Sequence, residues 1–150
     1  MNTSLKIFTL LCALSASAVS FAEDANQKPK VKYKTPELTV AQVDEWLGKP
    51  EQVLLVDIRR PDELISFGSF PVFLSVQFKD LEKLIPYIPK ERSIITVSNH
   101  ANRAFAAGDL LSSKGYKVIG AAGSENYEKS GGKQVTKIEK PAPKPATEQK

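Results

Sequence analysis

The sequence predicts an α/β protein in which helices cover both faces of a mostly parallel sheet. Three observations support this prediction. Short apolar runs alternate along the chain with segments of helical periodicity. The apolar runs are continuous instead of alternating with polar residues, which is typical of strands covered on both faces. With 150 residues, 41% of them hydrophobic, the chain has room for one domain of this kind.

The first predicted element is a short amphipathic helix that begins after Thr39. Thr39 and Gln42, three residues later, form the pattern of a capping box. Apolar residues at the spacing of one helix face follow as far as Leu47, and Gly48 suits the end of the helix.

The next elements are a strand and a helix separated by a short polar connection. Residues 53–56 form a continuous apolar run that ends at Asp57. Pro61 then precedes two acidic residues, a composition that favours the first turn of a helix.

The second half of the folded unit repeats this alternation. We predict strands over 73–76, 94–97 and 118–119 because these runs are short and apolar, and residues 94–97 are rich in β-branched residues. A helix is predicted over 80–88, where Pro86 breaks or shortens it. A longer helix is predicted from Asn102 to Lys114, ending at a glycine.

The termini differ in composition from this central unit. The formal net charge of +4 is concentrated in two arms, with +2 over 23–34 and +3 over 133–150, whereas 35–132 carries −2. Residues 23–34 are predicted to be a basic linker. Residues 131–150, rich in Lys, Pro and Ala, are predicted to be a disordered tail because they offer few apolar groups. The folded unit is therefore assigned to 35–130.

The first 22 residues have the pattern of a secretory signal peptide. Lys6 precedes an apolar stretch over 7–19, and Ser20 and Ala22 provide small residues before a cleavage point. We therefore expect a periplasmic or secreted protein. The alternative is that the segment is kept as an anchor. The single cysteine, Cys12, lies inside it, so cleavage after Ala22 leaves an exported chain with no thiol.

Composition also excludes several classes of site. One cysteine cannot form an internal disulfide, and one cysteine with one histidine cannot supply a usual zinc site. We predict no cofactor and no metal. Nucleic-acid binding is not expected, because the basic residues lie in the arms and do not form a basic stripe with aromatic residues on the folded unit.

The candidate binding site is the loop between the predicted strand 94–97 and the following helix. A short strand-to-helix loop gathers backbone N–H groups at the positive end of the helix dipole, which favours an anion. Arg103 has two candidate roles, in that it either holds the loop through backbone carbonyls or faces a bound anion. The predicted binding residues are Ser98, Asn99, His100, Ala101, Asn102 and Arg103.

Two motifs resemble those of rhodanese-like domains. Residues 53–64 contain a hydrophobic strand, Asp-x-Arg, then Pro and an acidic pair, and residues 94–118 resemble the strand, loop and helix of that family's active site. The resemblance covers 35–130. It implies a three-layer sandwich with a mostly parallel five-stranded sheet. It also implies sulfur transfer by a cysteine that opens a six-residue loop closing on an arginine, here Arg103.

The sequence departs from that family at the reactive position, where Ser98 replaces the cysteine. Sulfur transfer requires a thiolate that can become a persulfide, and serine has no sulfur. Residues 68–73 and 123–127 match the family's other segments only loosely. We therefore predict a non-catalytic binding module for a small oxyanion or for a partner protein through an acidic or thiol-bearing group.

Three alternatives remain open from the sequence. One is a sulfurtransferase role that is residual or depends on a partner's persulfide. Another is a hydrolase with Ser98 as nucleophile and His100 as base, oriented by an acid such as Asp57 or Asp62. The third is a structural protein that uses its basic arms on an anionic envelope surface.

Overall fold

The computed structural model describes residues 32–137 of the chain. The predicted signal peptide, most of the predicted linker and residues 138–150 lie outside the described residues. No helix within 32–137 has the length and apolar character needed to cross a membrane. In chain order the helices and strands are α1 (Val40–Leu47), β1 (Val53–Asp57), α2 (Pro61–Phe67), β2 (Leu74–Ser75), α3 (Leu81–Leu84), β3 (Ser93–Ser98), α4 (Asn102–Ser113), β4 (Val118–Gly123) and α5 (Ser124–Lys129).

The described strands form one parallel sheet in the order β2-β1-β3-β4. The predicted α/β class is confirmed, but the expectation of five strands is wrong for residues 32–137, which contribute four. A fifth position exists beside β4, where Glu37 forms a single parallel bridge with Ala121. The pairing stops there because Thr39 caps α1 and turns the chain away from the sheet. Pro36, lacking an N–H, also cannot donate to a longer ladder.

Apolar side chains fill both faces of the sheet, as the continuous strand runs predicted. Successive residues of β1 point to opposite sides, so that Leu54 and Val56 belong to one cluster and Val53 and Leu55 to the other. The first cluster also contains Leu81, Ile85, Ile88, Ile94, Leu111 and Tyr116, and the second contains Val43, Phe70, Ile95, Val97, Ala122 and Tyr127.

Most predicted helices and strands are present, with two differences. The Thr39–Gln42 capping box is formed. The helix predicted over 80–88 is reduced to the single turn of α3, because 3-10 turns flank it and Pro86 lies in the second of them. Helix α5 was not predicted as a helix, since its six residues are too few to show a helical periodicity.

The packed chain extends beyond residue 130, where the sequence placed the start of a disordered tail. Thr136 and Ser69 exchange two backbone hydrogen bonds of 2.8 and 2.9 Å. Val135 packs against the second cluster, and the Gln134 N–H donates to the Tyr127 hydroxyl at 3.2 Å. Composition averaged over the Lys- and Pro-rich segment concealed these few residues, so the boundary moves from 130 to at least 137.

The last residues of the predicted linker are also packed against the domain. The backbone N–H groups of Lys34 and Thr35 donate to the Asp109 carboxylate on α4, at distances of 2.8–3.2 Å. The ring of Tyr33 stacks on that of Phe105, with 5.6 Å between centroids. Helix α4 therefore anchors the incoming chain.

These boundaries can be tested by truncation. A chain that ends at residue 137 should keep the free energy of unfolding of the full chain. A chain that ends at residue 130 should lose about 1–2 kcal/mol, since it loses the Ser69–Thr136 bonds and the half-buried Val135. Urea denaturation of both chains measures the difference, and equal stability would show that residues 131–137 contribute nothing.

Candidate functional site at the loop 98–103

The loop between β3 and α4 turns the chain sharply from the sheet into the helix. Strand β3 ends at Ser98 and α4 begins at Asn102, so only three residues make the connection. Ala101 takes a left-handed conformation with φ of 64°, the sole non-glycine residue of 32–137 with positive φ. Such a conformation costs about 1–2 kcal/mol for a residue with a Cβ, so the surrounding contacts must impose it.

Ser98 lies inside the protein at the start of this loop. The residue is 1% exposed, and its hydroxyl oxygen accepts a hydrogen bond of 3.3 Å from the Ala104 N–H in the first turn of α4. The sequence prediction assumed that the free N–H groups at the start of α4 bind an anion. One of these N–H groups instead donates to the Ser98 side chain.

Beneath the loop lies a buried ionic network centred on Arg59, which is 0% exposed. Its Nε and Nη2 donate to the Asp57 carboxylate at 2.7–3.1 Å. Nη1 donates to Asn99 Oδ1 at 3.1 Å and to Ser124 Oγ at 2.9 Å, and Nη2 also donates to the Gly68 carbonyl at 2.9 Å. All five N–H donors of the guanidinium therefore have acceptors. Asp57 and Arg59 therefore have a structural role at the end of β1.

Glu63 on α2 is the second centre of the network. Its two carboxylate oxygens form a bidentate pair with the Arg103 guanidinium. The carboxylate also accepts bonds of 3.0 Å from the Arg60 backbone N–H and from Asn99 Nδ2. Hydrogen bonding to Arg103 lowers the pKa of Glu63 below its ordinary value, despite the opposing effect of burial.

Asn99 joins the two centres into one network. Its amide oxygen accepts from Arg59, and its amide nitrogen donates to Glu63. Within the described chain the Arg103 guanidinium binds the Glu63 carboxylate instead of backbone carbonyls, and its other predicted role, facing a bound anion, stays a prediction. Glu63 was missed as a site residue. The sequence feature that could have indicated it is the acidic pair of the rhodanese-like motif, to which Glu63 belongs.

His100 lies on the outside of the loop. Its side chain is 53% exposed, and its Nε2 is 3.4 Å from a carboxylate oxygen of Glu125 on α5. Ser98, by contrast, faces the start of α4. No hydrogen bond joins Ser98 to His100 among the described residues, so the structure does not assemble the nucleophile and base of the hydrolase alternative.

A small basic cleft opens beside Arg103. Its volume is about 250 Å³. The residues that line it follow the ends of β1 and β2 or lie at the start of α4. These positions are far apart in the sequence, so no sequence motif predicts the cleft. The lining residues are Ile58, Arg60, Gln77, Phe78, Lys79 and Arg103.

Metal-binding side chains and the exposure of the predicted loop residues further define the site within the described residues. Within 32–137 there is no group of three or more His, Cys, Asp or Glu side chains placed to hold a metal ion. Of the predicted binding residues, Ser98, Asn99 and Ala101 are buried, whereas His100 and Asn102 are exposed and Arg103 is partly exposed. The side chains of the loop that reach the surface are therefore those of His100, Asn102 and Arg103.

Comparison with known proteins identifies the fold. No protein-family model matches the chain, and no curated protein matches it in sequence. Among solved structures, a rhodanese-related protein from Thermoplasma volcanium is 22% identical, with a TM-score of 0.58, over 65% of this chain and 95% of that one. A single-domain sulfurtransferase from Saccharomyces cerevisiae is 20% identical, with a TM-score of 0.56, over 71% and 98%. A rhodanese-like domain protein from Staphylococcus aureus is 15% identical, with a TM-score of 0.57, over 69% and 99%. The chain therefore has the rhodanese-like fold that its motifs indicated.

The Glu63–Arg103 pair predicts a specific acid sensitivity. Because folding lowers the pKa of Glu63, the pair stabilises the protein above the unfolded pKa of about 4.3. That stability is lost as the pH falls through the folded pKa. Glu63→Gln should lower the free energy of unfolding by about 1–3 kcal/mol at pH 7, a range that allows for the partial exposure of Arg103. The difference from wild type should shrink at pH 3.

Urea denaturation at the two pH values measures this difference. Asp62→Asn is the matched control, since it also removes a carboxylate from the first turn of α2 but an exposed one. It should leave the stability nearly unchanged at both pH values. A Glu63→Gln deficit of the same size at pH 3 and pH 7 would contradict the assigned role of the Glu63 charge.

The end of β4 supports the loop by close backbone contact. A Cβ added at Gly123 would lie 2.8 Å from the Ala101 nitrogen and 2.9 Å from the Asn99 carbonyl oxygen. Gly123→Ala should therefore displace the loop and cost about 1–3 kcal/mol in urea denaturation. Gly48→Ala is the control, because Gly48 has a helical φ of −73° and its nearest neighbour would be 3.4 Å away. It should be neutral or slightly stabilising, and similar effects of both variants would refute the close contact.

Proposed function

We propose that this protein is an exported, non-catalytic binding module built on the rhodanese-like fold. The observation that carries the proposal is Ser98 at the position where the resemblance places the reactive cysteine. The signal-peptide pattern of residues 1–22 supports the periplasmic or secreted location. It also supports the absence of any thiol from the exported chain.

The chemistry of position 98 argues against sulfur transfer. A persulfide requires a thiolate, which a cysteine forms from a pKa of about 8.5. The serine hydroxyl has no sulfur and is much less acidic. In this protein it is also buried and accepts a hydrogen bond from the Ala104 N–H. Position 98 thus lacks the sulfur atom that reacts in sulfur transfer.

The bonding of the loop favours a ligand at its surface over one in its interior. Ser98, Asn99 and Ala101 are buried, and the Asn99 amide is occupied by Arg59 and Glu63. Only the exposed side of the loop, with Arg103 at the edge of the basic cleft, is available to a partner. An acidic group fits this surface better than a neutral one, because Arg103, Arg60 and Lys79 meet there.

The proposal is tested by a thiosulfate-to-cyanide sulfur-transfer assay. The chain carrying Cys12→Ser contains no cysteine and should show no turnover above buffer. Adding Ser98→Cys to that chain restores a thiol at position 98, and we expect slow turnover at most, since position 98 is 1% exposed. Clear turnover by the cysteine-free chain would contradict the proposal of a non-catalytic module.

A further inference from the structure

We propose that the basic cleft beside Arg103 binds a carboxylate side chain of an acidic segment in a partner protein. This inference rests on the proposed function, since it names the ligand class of the binding module. The cleft is lined by Ile58, Arg60, Gln77, Phe78, Lys79 and Arg103.

The cleft lies where parallel sheets of this kind bind ligands. Ile58 follows the last residue of β1, and Gln77 lies two residues after β2. Arg103 is in the first turn of α4, directly after the loop that follows β3. The cleft therefore stands beyond the carboxyl ends of neighbouring strands, outside the sheet.

Three cations from three different segments line this one cleft. The side chains of Arg60 and Arg103 are 58% and 37% exposed, and Lys79 is exposed as well. Arg60 is paired with Asp62, and Arg103 with Glu63. No carboxylate within the described range lies close enough to pair with Lys79. The cleft thus keeps a net positive charge of about one, which an acidic ligand would neutralise.

Arg103 is held in a position from which it can still donate. Glu63 accepts from both terminal nitrogens of its guanidinium, which fixes the plane of the group. A guanidinium has five N–H donors, and a bidentate pair uses two of them. Within 32–137 no other acceptor binds Arg103, so its remaining donors stay available at the cleft. A planar carboxylate matches such a donor group.

The apolar wall and the size of the cleft favour a peptide over a free inorganic oxyanion. Phe78 is 41% exposed and lines the cleft together with the three cations. It offers a surface for the methylene groups or an apolar neighbour of an acidic side chain. The volume of about 250 Å³ suits one or two side chains and falls below the usual range for drug-sized ligands.

The experiment measures binding of a labelled acidic peptide to the full chain by fluorescence anisotropy. The probe is a capped peptide in which two glutamates flank a leucine, and its glutamine counterpart is the neutral reference. We expect saturable binding of the acidic peptide that weakens with added salt, and much weaker binding of the neutral peptide. Equal binding of the two peptides, or no binding of the acidic one at millimolar concentration, would overturn the inference.

Two exposed substitutions locate the binding site without touching the buried network. Lys79→Gln and Phe78→Ala should each weaken the acidic peptide about three- to tenfold. Lys83→Gln is the matched control, because it removes the same charge one turn further along, on α3 and outside the cleft. It should leave the affinity within about twofold of wild type. Equal losses from Lys79→Gln and Lys83→Gln would show that only overall charge matters, and would refute the cleft.

A second titration separates the two candidate sources of negative charge. Sulfate, thiosulfate and phosphate are added in place of the peptide, with the chemical shift of the Arg103 Nε–H as the readout. Binding of these ions without binding of the peptide would refute the peptide ligand and leave the non-catalytic module intact. Sulfur transfer by the cysteine-free chain would instead overturn the module itself, so the two failures are distinguishable.

Discussion

Burial of the Arg59 guanidinium is the constraint on which the loop, the end of β1 and the start of α5 all depend. A charged group with no exposed surface is tolerated only when a counter-ion and enough hydrogen bonds replace its water. Asp57 supplies the counter-ion, while Asn99, Ser124 and the Gly68 carbonyl accept the remaining bonds. Four separate segments of the chain are thereby held around one side chain, and moving any of them leaves a buried donor without an acceptor.

The same network explains the shape of the loop 98–103. Asn99 must turn inward to reach both Arg59 and Glu63, which places His100 on the outside. The chain then enters α4 through the left-handed conformation of Ala101. Gly123 allows the end of β4 to pass close behind the loop, where a larger residue would meet backbone atoms. The strained residue is therefore compensated by the ionic network on one side and by close packing on the other.

The conformation of the loop 98–103 does not depend on the residue type of a reactive cysteine. The framework consists of charged and amide groups that satisfy one another, and none of them requires a thiol at position 98. Ser98 fits the same position by accepting the Ala104 N–H. The surface beside the loop stays basic because Lys79, Arg60 and Arg103 come from segments that the sheet brings to one edge.

Local patterns in the sequence determined much of the fold. The capping box at Thr39, the apolar run of β1 and the helix after Asn102 are set by neighbours within one or two turns, and each is present. Local pattern also placed the six residues of the candidate loop between a strand and a helix. It was misleading where few residues decide the outcome, as in the packed segment around Thr136.

Long-range contacts decided the rest. Which carboxylate pairs with Arg103 depends on the approach of α2 to α4, and a separation of 40 residues in sequence gives no signal of it. The cleft beside Phe78 has the same origin, since its cations lie on segments joined only by the sheet. The sequence by itself therefore determined the class of the fold, the position of the loop and the absence of a thiol there. Only the tertiary structure decided that Ser98 and Asn99 are buried and hydrogen-bonded inside the protein and that Arg103 lines an exposed basic cleft. The reason is that burial and charge pairing depend on residues far apart in the chain.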